Sequence, residues 1–92
     1  MSVIAHRVLK IVNEKGLHAR ASARLVEVVE EFDARAEVRK DGMCASGDSI
    51  MGLLMLAASK GTSIEVETSG PDAEALATAI EHLVADRFGE GC

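Results

Sequence analysis

Aromatic residues are nearly absent from this sequence, and their absence excludes one large class of partners. They make up 2% of the 92 residues, with neither Trp nor Tyr, so the chain lacks the side chains on which nucleic-acid bases stack. Acidic residues outnumber basic ones, 15 against 10, which gives a formal net charge of −5 that a phosphate backbone would repel. We therefore expect no nucleic-acid partner, and a protein or a small ligand instead.

Cysteine is also scarce. Cys44 and Cys92 are too few for a disulfide framework and lack the spacing of zinc ligands. Three scattered histidines do not make a metal site either, so we expect neither a metal nor a cofactor. Free thiols fit a reducing cytosol, and Cys44, within a strand-like run, is expected to be a small core residue.

Long apolar runs are missing too. The longest, residues 50–58, is far shorter than the ~20 residues that cross a bilayer, and the N-terminus has no signal-peptide hydrophobic region. We expect a cytoplasmic protein with no membrane insertion. Hydrophobic residues still make up 48% of the chain, enough for one small core. We expect a single domain over residues 1–92, with its core in 3–88 and a tail at 89–92, and a monomer in solution.

Two amphipathic helices follow from apolar residues repeated at i, i+3, i+4 and i+7. The first covers residues 18–32, and its apolar positions are Leu25, Val28, Val29 and Phe32. The last helix follows a turn at residues 69–72 and has the clearest pattern, made by Ala73, Leu76, Ala77, Ile80, Leu83, Val84 and Phe88.

Four strands complete the domain, at residues 3–12, 34–39, 43–45 and 63–68. Asp41-Gly42 is a strong hairpin signal between the middle two strands. With a short helix after residue 49, the order of elements is β-α-β-β-α-β-α. The fold class that we predict is α+β, an open-faced β-sandwich in which a four-stranded antiparallel sheet carries three helices on one face.

The loop at residues 13–20 is the strongest candidate for a functional site. Gly16 suits a sharp turn into the first helix, and His18 then falls at or just before the first helical turn, with Arg20 two residues later. That turn carries free backbone N–H groups and the positive end of the helix dipole. A phosphorylated imidazole would need these neighbours. The plain alternative is a surface or N-capping histidine without function.

The short helix is the second candidate. Ser49 is a good N-cap, and residues 50–56 are apolar on nearly every side. Either all of them are core, or some stay exposed as a docking surface for a protein partner. The residues of that surface would be Ile50, Met51, Leu54 and Met55.

Two motifs in register give the sequence a family resemblance. Gly16-Leu17-His18-Ala19-Arg20 and Ser49-Ile50-Met51-Gly52 resemble the active-site and regulatory-serine motifs of the HPr family, the phosphocarriers of the bacterial phosphoenolpyruvate-dependent phosphotransferase system. The resemblance covers residues 3–88, and chain length and element order also agree.

The resemblance implies a phosphocarrier rather than a stand-alone enzyme. His18 would receive a phosphoryl group from enzyme I on Nδ1 and pass it to an enzyme IIA, while Arg20 helps to hold the phosphate. It also implies that Ser49 is phosphorylated by an HPr serine kinase in organisms that have one. A rival hypothesis is a regulatory binding module that docks through the helix at residues 50–56 without phosphotransfer. An acylphosphatase-like hydrolase ranks last, because it gives His18 no role.

Two departures from the family pattern bear on the choice of partner. The family usually has proline where this chain has Ala21, which restores a backbone N–H. Many members carry lysines on the outer face of the first helix, where this chain has Glu27 and Glu30. An enzyme I that relies on a basic face would bind less well, which favours a dedicated partner set and the nitrogen-related branch over sugar transport.

Overall fold

The structure is a computed structural model that describes residues 3–90. It contains β1 (Ile4–Lys10), α1 (Ala19–Glu30), β2 (Arg35–Lys40), β3 (Met43–Ser46), α2 (Ile50–Met55), β4 (Ser63–Ser69) and α3 (Ala73–Ala85). A single 3₁₀ turn at Arg87–Gly89 follows α3. The predicted order of elements is confirmed. Both long helices end earlier than predicted, because Phe32 lies beyond the end of α1 and Phe88 belongs to the 3₁₀ turn.

The four strands form one antiparallel sheet in the order β1-β4-β2-β3. The predicted hairpin joins β2 and β3. Its two turn residues, Asp41 and Gly42, have φ values of 51° and 80°, as a type I′ turn requires. The last strand in sequence, β4, therefore lies in the interior of the sheet, between β1 and β2.

Alternation along the strands places one face of the sheet in the core. Leu9 on β1, Val38 on β2 and Val66 on β4 point inward and are buried, while His6 and Glu65 lie on the other face and are exposed. The α3 helix packs on β1 and β4, and α1 packs beside α2 and α3. The core therefore lies between the sheet and three helices, which confirms the predicted open-faced sandwich.

One core prediction is wrong. Cys44 is exposed, because it pairs with Arg39 on the open face of the sheet. Its neighbour Ala45 takes the inward position opposite Val38 and is buried instead. The second cysteine, Cys92, lies outside the described residues.

The predicted tail also needs correction where the structure describes it. Arg87 and Phe88 both have a φ of 55°, so the chain leaves the direction of α3 and turns back while Phe88 stays buried. This left-handed turn brings Glu90 to the beginning of α1. Gly89 and Glu90 are therefore part of the folded domain.

Candidate functional site

The loop before α1 is closed by its own hydrogen bonds. Asn13 is fully buried, and its Nδ2 donates to the carbonyl oxygen of Gly16 over 2.9 Å. The backbone N–H of Leu17 donates to the carbonyl oxygen of Ala58, just after α2, over 2.8 Å. The beginning of α1 is therefore tied to the segment that follows α2.

Gly16 is the residue that this closure requires. Its φ is 64°, and a Cβ atom built on it would lie 2.4 Å from the carbonyl oxygen of Ala58. Any other residue would be strained in this conformation and would also collide with backbone. The predicted role of Gly16 in the turn into the helix is confirmed.

His18 occupies the N-cap position of α1 but does not cap the helix. Its backbone is extended, with φ −80° and ψ −176°, and its side chain makes no capping hydrogen bond. The N–H groups of Ala19, Arg20 and Ala21 have no hydrogen-bond acceptor within residues 3–90. The interpretation of His18 as a capping residue is therefore wrong, and the helix begins with donors left open to an anion.

The ring of His18 contacts the carboxylate of Glu90 instead. Nε2 of His18 lies 2.5 Å from Oε2 of Glu90, and 25% of the histidine side chain remains exposed. The other carboxylate oxygen, Oε1, accepts a hydrogen bond from Nδ2 of Asn13 over 2.9 Å. Within the described part of the chain, Nδ1 of His18 makes no hydrogen bond.

Glu90 is ionised at neutral pH. The hydrogen bond from Asn13 is the main cause that lowers the pKa of this carboxyl below its ordinary value of 4.5. Burial opposes the shift, while the hydrogen bond with His18, the charge of Lys15 and the charge that a protonated His18 would carry add to it. The group beside the ring is thus a carboxylate, which can only accept hydrogen bonds.

Sequence reasoning did not identify Glu90, which is separated from His18 by 72 positions. The only signal was indirect. Phe88 continues the apolar face of the last helix, so the residues that follow it must lie near the core, and Gly89 permits a turn there. Nothing in the pattern indicated that the chain would turn toward α1.

The first half of α1 carries two arginines, Arg20 and Arg24. Arg20 is exposed and makes no hydrogen bond or ion pair within the described residues, so its guanidinium is not brought onto His18 here. Arg24, one turn later, lies against Gly89, where an added Cβ would be 3.3 Å from its Nη2 atom. Two cations therefore stand near the beginning of α1 without being joined to His18.

The second candidate, at the beginning of α2, has a different local structure. The Oγ atom of Ser49 accepts a hydrogen bond from the N–H of Gly52 over 3.0 Å, which confirms the predicted N-cap. The apolar helix is divided between core and solvent. Leu53 and the following Leu56 are buried, Leu54 is half-buried, and the exposed side chains are Ile50, Met51 and Met55.

Among residues 3–90 the structure contains no group of three or more acidic, histidine or cysteine side chains placed to hold a metal ion. In the same part of the chain no helix has the length and apolar character needed to cross a membrane.

Comparison with known proteins shows which family this chain is similar to. The family model described as "PTS HPr component phosphorylation site" matches residues 5–86. The chain is 45% identical over 83 residues to the phosphocarrier protein HPr of Neisseria meningitidis, covering 90% of this chain and 93% of that one. It is 40% identical over 83 residues to the phosphocarrier protein NPr of Escherichia coli, covering 89% and 92%.

A solved structure agrees with the sequence comparisons. The fold superposes on HPr-C-His from Thermoanaerobacter tengcongensis with a TM-score of 0.90 and 32% identity, covering 96% of this chain and 99% of that one. Sequence and fold therefore point to the same family over nearly the whole domain.

Proposed function

The chain belongs to the HPr family of phosphocarrier proteins of the phosphotransferase system, and from that premise we propose that His18 is its phosphoryl-carrying residue. It accepts the group from enzyme I, with phosphoenolpyruvate as the ultimate donor, and passes it to an enzyme IIA in the cytoplasm. One observation supports this assignment above the others. His18 occupies an N-cap position without capping, beside three N–H groups that have no acceptor within residues 3–90.

The transfer step needs a nucleophile and an anion site more than further covalent chemistry. The lone pair of Nδ1 attacks phosphorus, a nitrogen–phosphorus bond forms, and the bond to the donor's atom breaks with its electron pair leaving on the donor. The amides of the first turn and the guanidinium of Arg20 then face a dianion. Each such charge-assisted hydrogen bond is worth about 1.5–3 kcal/mol, and a half-exposed site lets the group leave again.

The decisive experiment is phosphorylation by the cognate enzyme I with phosphoenolpyruvate, followed by mass spectrometry. We expect a gain of one HPO3 group that is labile in acid, absent from His18→Ala and kept in His82→Ala. His82 is a suitable control because it is an exposed histidine on another helix, α3. A wild-type protein that gains no mass with its own enzyme I would overturn the proposal.

Ser49 is proposed as a regulatory phosphorylation site for an HPr serine kinase. Its hydroxyl is half-buried at the beginning of α2, next to the exposed Ile50 and Met51. Phosphorylation would add about −2 charge there and would change a surface suited to docking enzyme I and enzyme IIA. A kinase of this class with ATP should modify the wild type and not Ser49→Ala, and the modified protein should accept phosphoryl groups on His18 more slowly. Equal rates would contradict the regulatory role.

A second function, docking without phosphotransfer, is favoured by one observation. Met51 and Met55 on α2 are 72% and 67% exposed, and exposed apolar side chains on one short helix are a feature of surfaces that bind a protein partner. A docking module would bind its partner equally well in His18→Ala and would gain nothing from phosphoenolpyruvate. The phosphorylation experiment above therefore separates the two functions.

A further inference from the structure

We propose that Glu90 is a positioning residue that holds His18 in the Nε2-protonated form, so that Nδ1 is the nitrogen that receives the phosphoryl group. This inference rests on the proposed function of His18 as carrier. It assigns a role to a residue outside both family motifs, near the end of the chain.

The direction of the hydrogen bond between Glu90 and His18 fixes the position of the ring proton. A carboxylate has acceptors and no donor, so the 2.5 Å contact between Oε2 of Glu90 and Nε2 of His18 requires the proton on Nε2. A neutral imidazole carries one ring proton, and the partner of one nitrogen decides which nitrogen bears it. Nδ1 is then left with its lone pair, and no described residue hydrogen-bonds to it.

Glu90 is held in place. Its Oε1 accepts from Nδ2 of Asn13 over 2.9 Å, and the buried Asn13 is itself fixed to the carbonyl oxygen of Gly16. The backbone N–H of Glu90 donates to the carbonyl oxygen of Arg87 over 2.9 Å. Only 17% of the side chain of Glu90 is exposed. The carboxylate is thus tied to the loop that also positions His18.

The ring of His18 changes charge during transfer. When the bond between Nδ1 and phosphorus forms with the proton still on Nε2, the ring becomes cationic and no proton leaves it. The carboxylate of Glu90 stabilises that cation from the Nε2 side, on the opposite edge of the ring from the phosphoryl group. When the group moves on to the acceptor, the nitrogen–phosphorus bond breaks, its electron pair returns to Nδ1, and the ring is neutral again.

NMR of the imidazole nitrogens tests the inference without any partner protein. In the neutral form of the ring, wild-type His18 should be almost entirely protonated at Nε2. Glu90→Gln should keep most of this preference, because an amide oxygen can still accept from Nε2. Glu90→Ala should populate the Nδ1-protonated form measurably. Glu14→Gln is the matched control, since Glu14 is an acidic residue of the same loop that pairs with Lys60 over 2.6 Å.

Phosphorylation kinetics supply the functional readout. With enzyme I and phosphoenolpyruvate, Glu90→Ala should be phosphorylated about tenfold more slowly, the factor expected from one lost hydrogen bond. Glu90→Gln should lie between it and the wild type, and Glu14→Gln should match the wild type. Thermal unfolding of each variant separates this ranking from loss of fold, because a purely structural role would make rate follow stability.

Two results would overturn the inference: a wild-type ring with a mixture of protonation forms like that of Glu90→Ala, or equal phosphorylation rates in wild type and Glu90→Ala. Either can occur while His18→Ala still abolishes phosphorylation, in which case the proposed function stands and the role of Glu90 fails. Conversely, if enzyme I never modifies the wild type, the carrier function fails, and the nitrogen NMR still shows whether Glu90 sets the protonation of the ring.

Discussion

Helices α1 and α2 of this domain begin in opposite ways. Both N-cap residues have extended backbones. Ser49 closes its helix by accepting a hydrogen bond from the N–H of Gly52. His18 instead turns its ring to Glu90, and the first-turn donors of α1 have no acceptor among residues 3–90. The difference shows how one fold can hold two phosphorylation candidates with distinct roles. The open helix start suits a group that arrives and leaves, and the closed one suits a covalent mark at a helix start that is already stable.

The open start of α1 depends on Gly16, and Gly16→Ala should break it with the largest effect. The new Cβ would collide with the carbonyl oxygen of Ala58 at 2.4 Å, and φ is positive, so we expect a loss of roughly 3 kcal/mol in the free energy of unfolding. Gly61→Ala is the control, because Gly61 also has a positive φ, 90°, with open space around it. Gly61→Ala should lower the free energy of unfolding by about 1 kcal/mol. Equal losses in urea unfolding would mean that the contact with Ala58 is unimportant.

The surface that we propose for docking lies on α2, after its closed start, and Met51→Glu tests it. Met51 is 72% exposed, so stability should stay within about 0.5 kcal/mol. Phosphorylation by enzyme I should slow about tenfold if Met51 lies in a docking interface. Met43→Glu is matched to it, since Met43 is an exposed methionine (47%) on β3. If both variants transfer at the wild-type rate, the surface of α2 is not the docking site.

Removing the cap itself is expected to have a smaller effect. Ser49→Ala leaves the N–H of Gly52 without its acceptor and should lower the free energy of unfolding by ~1 kcal/mol. Ser63→Ala, at an exposed serine that begins β4, should change stability by less than about 0.5 kcal/mol. Chemical unfolding of the two variants makes the comparison. No difference between them would show that the beginning of α2 does not depend on its serine.

The smallest expected effect is a pH dependence of stability that comes from the contacts of Glu90. The pKa of Glu90 is lowered in the folded state, so its stabilising contribution is present above the unfolded value of 4.5 and is lost as pH falls through the lower folded value. Wild type should be more stable than Glu90→Gln near neutral pH, and the gap should shrink in acid. If the stability difference between wild type and Glu90→Gln instead grew in acid, the predicted direction of the pH dependence would be wrong.

Local signals in the sequence were sufficient to predict where α1 begins. Gly16 marked the turn and the apolar repeat marked the helix. Together they placed His18 at or just before the first helical turn, and the structure has it at the N-cap. The same reasoning identified Ser49 as a cap. These features depend on residues a few positions apart, and backbone chemistry at that range is specific.

Contacts between residues far apart in the chain could not be predicted from the sequence. The apolar repeat extended α3 to Phe88, because Phe88 is indeed buried, but the chain reaches that position through left-handed residues rather than another helical turn. Neither arginine nor phenylalanine signals a positive φ. The contact between Glu90 and His18 therefore could not be predicted. Cys44 was misplaced because Met43, Cys44 and Ala45 are all apolar, so the sequence does not show which of them face the core.

We propose that the uncapped start of α1 carries the phosphoryl group on Nδ1 of His18. The most direct measurement is phosphorus and nitrogen NMR of the protein after reaction with enzyme I and phosphoenolpyruvate. We predict one phosphoryl group bonded to Nδ1 of His18, with a proton on Nε2. A group on Nε2, a group on any other residue, or no phosphorylation would contradict the account.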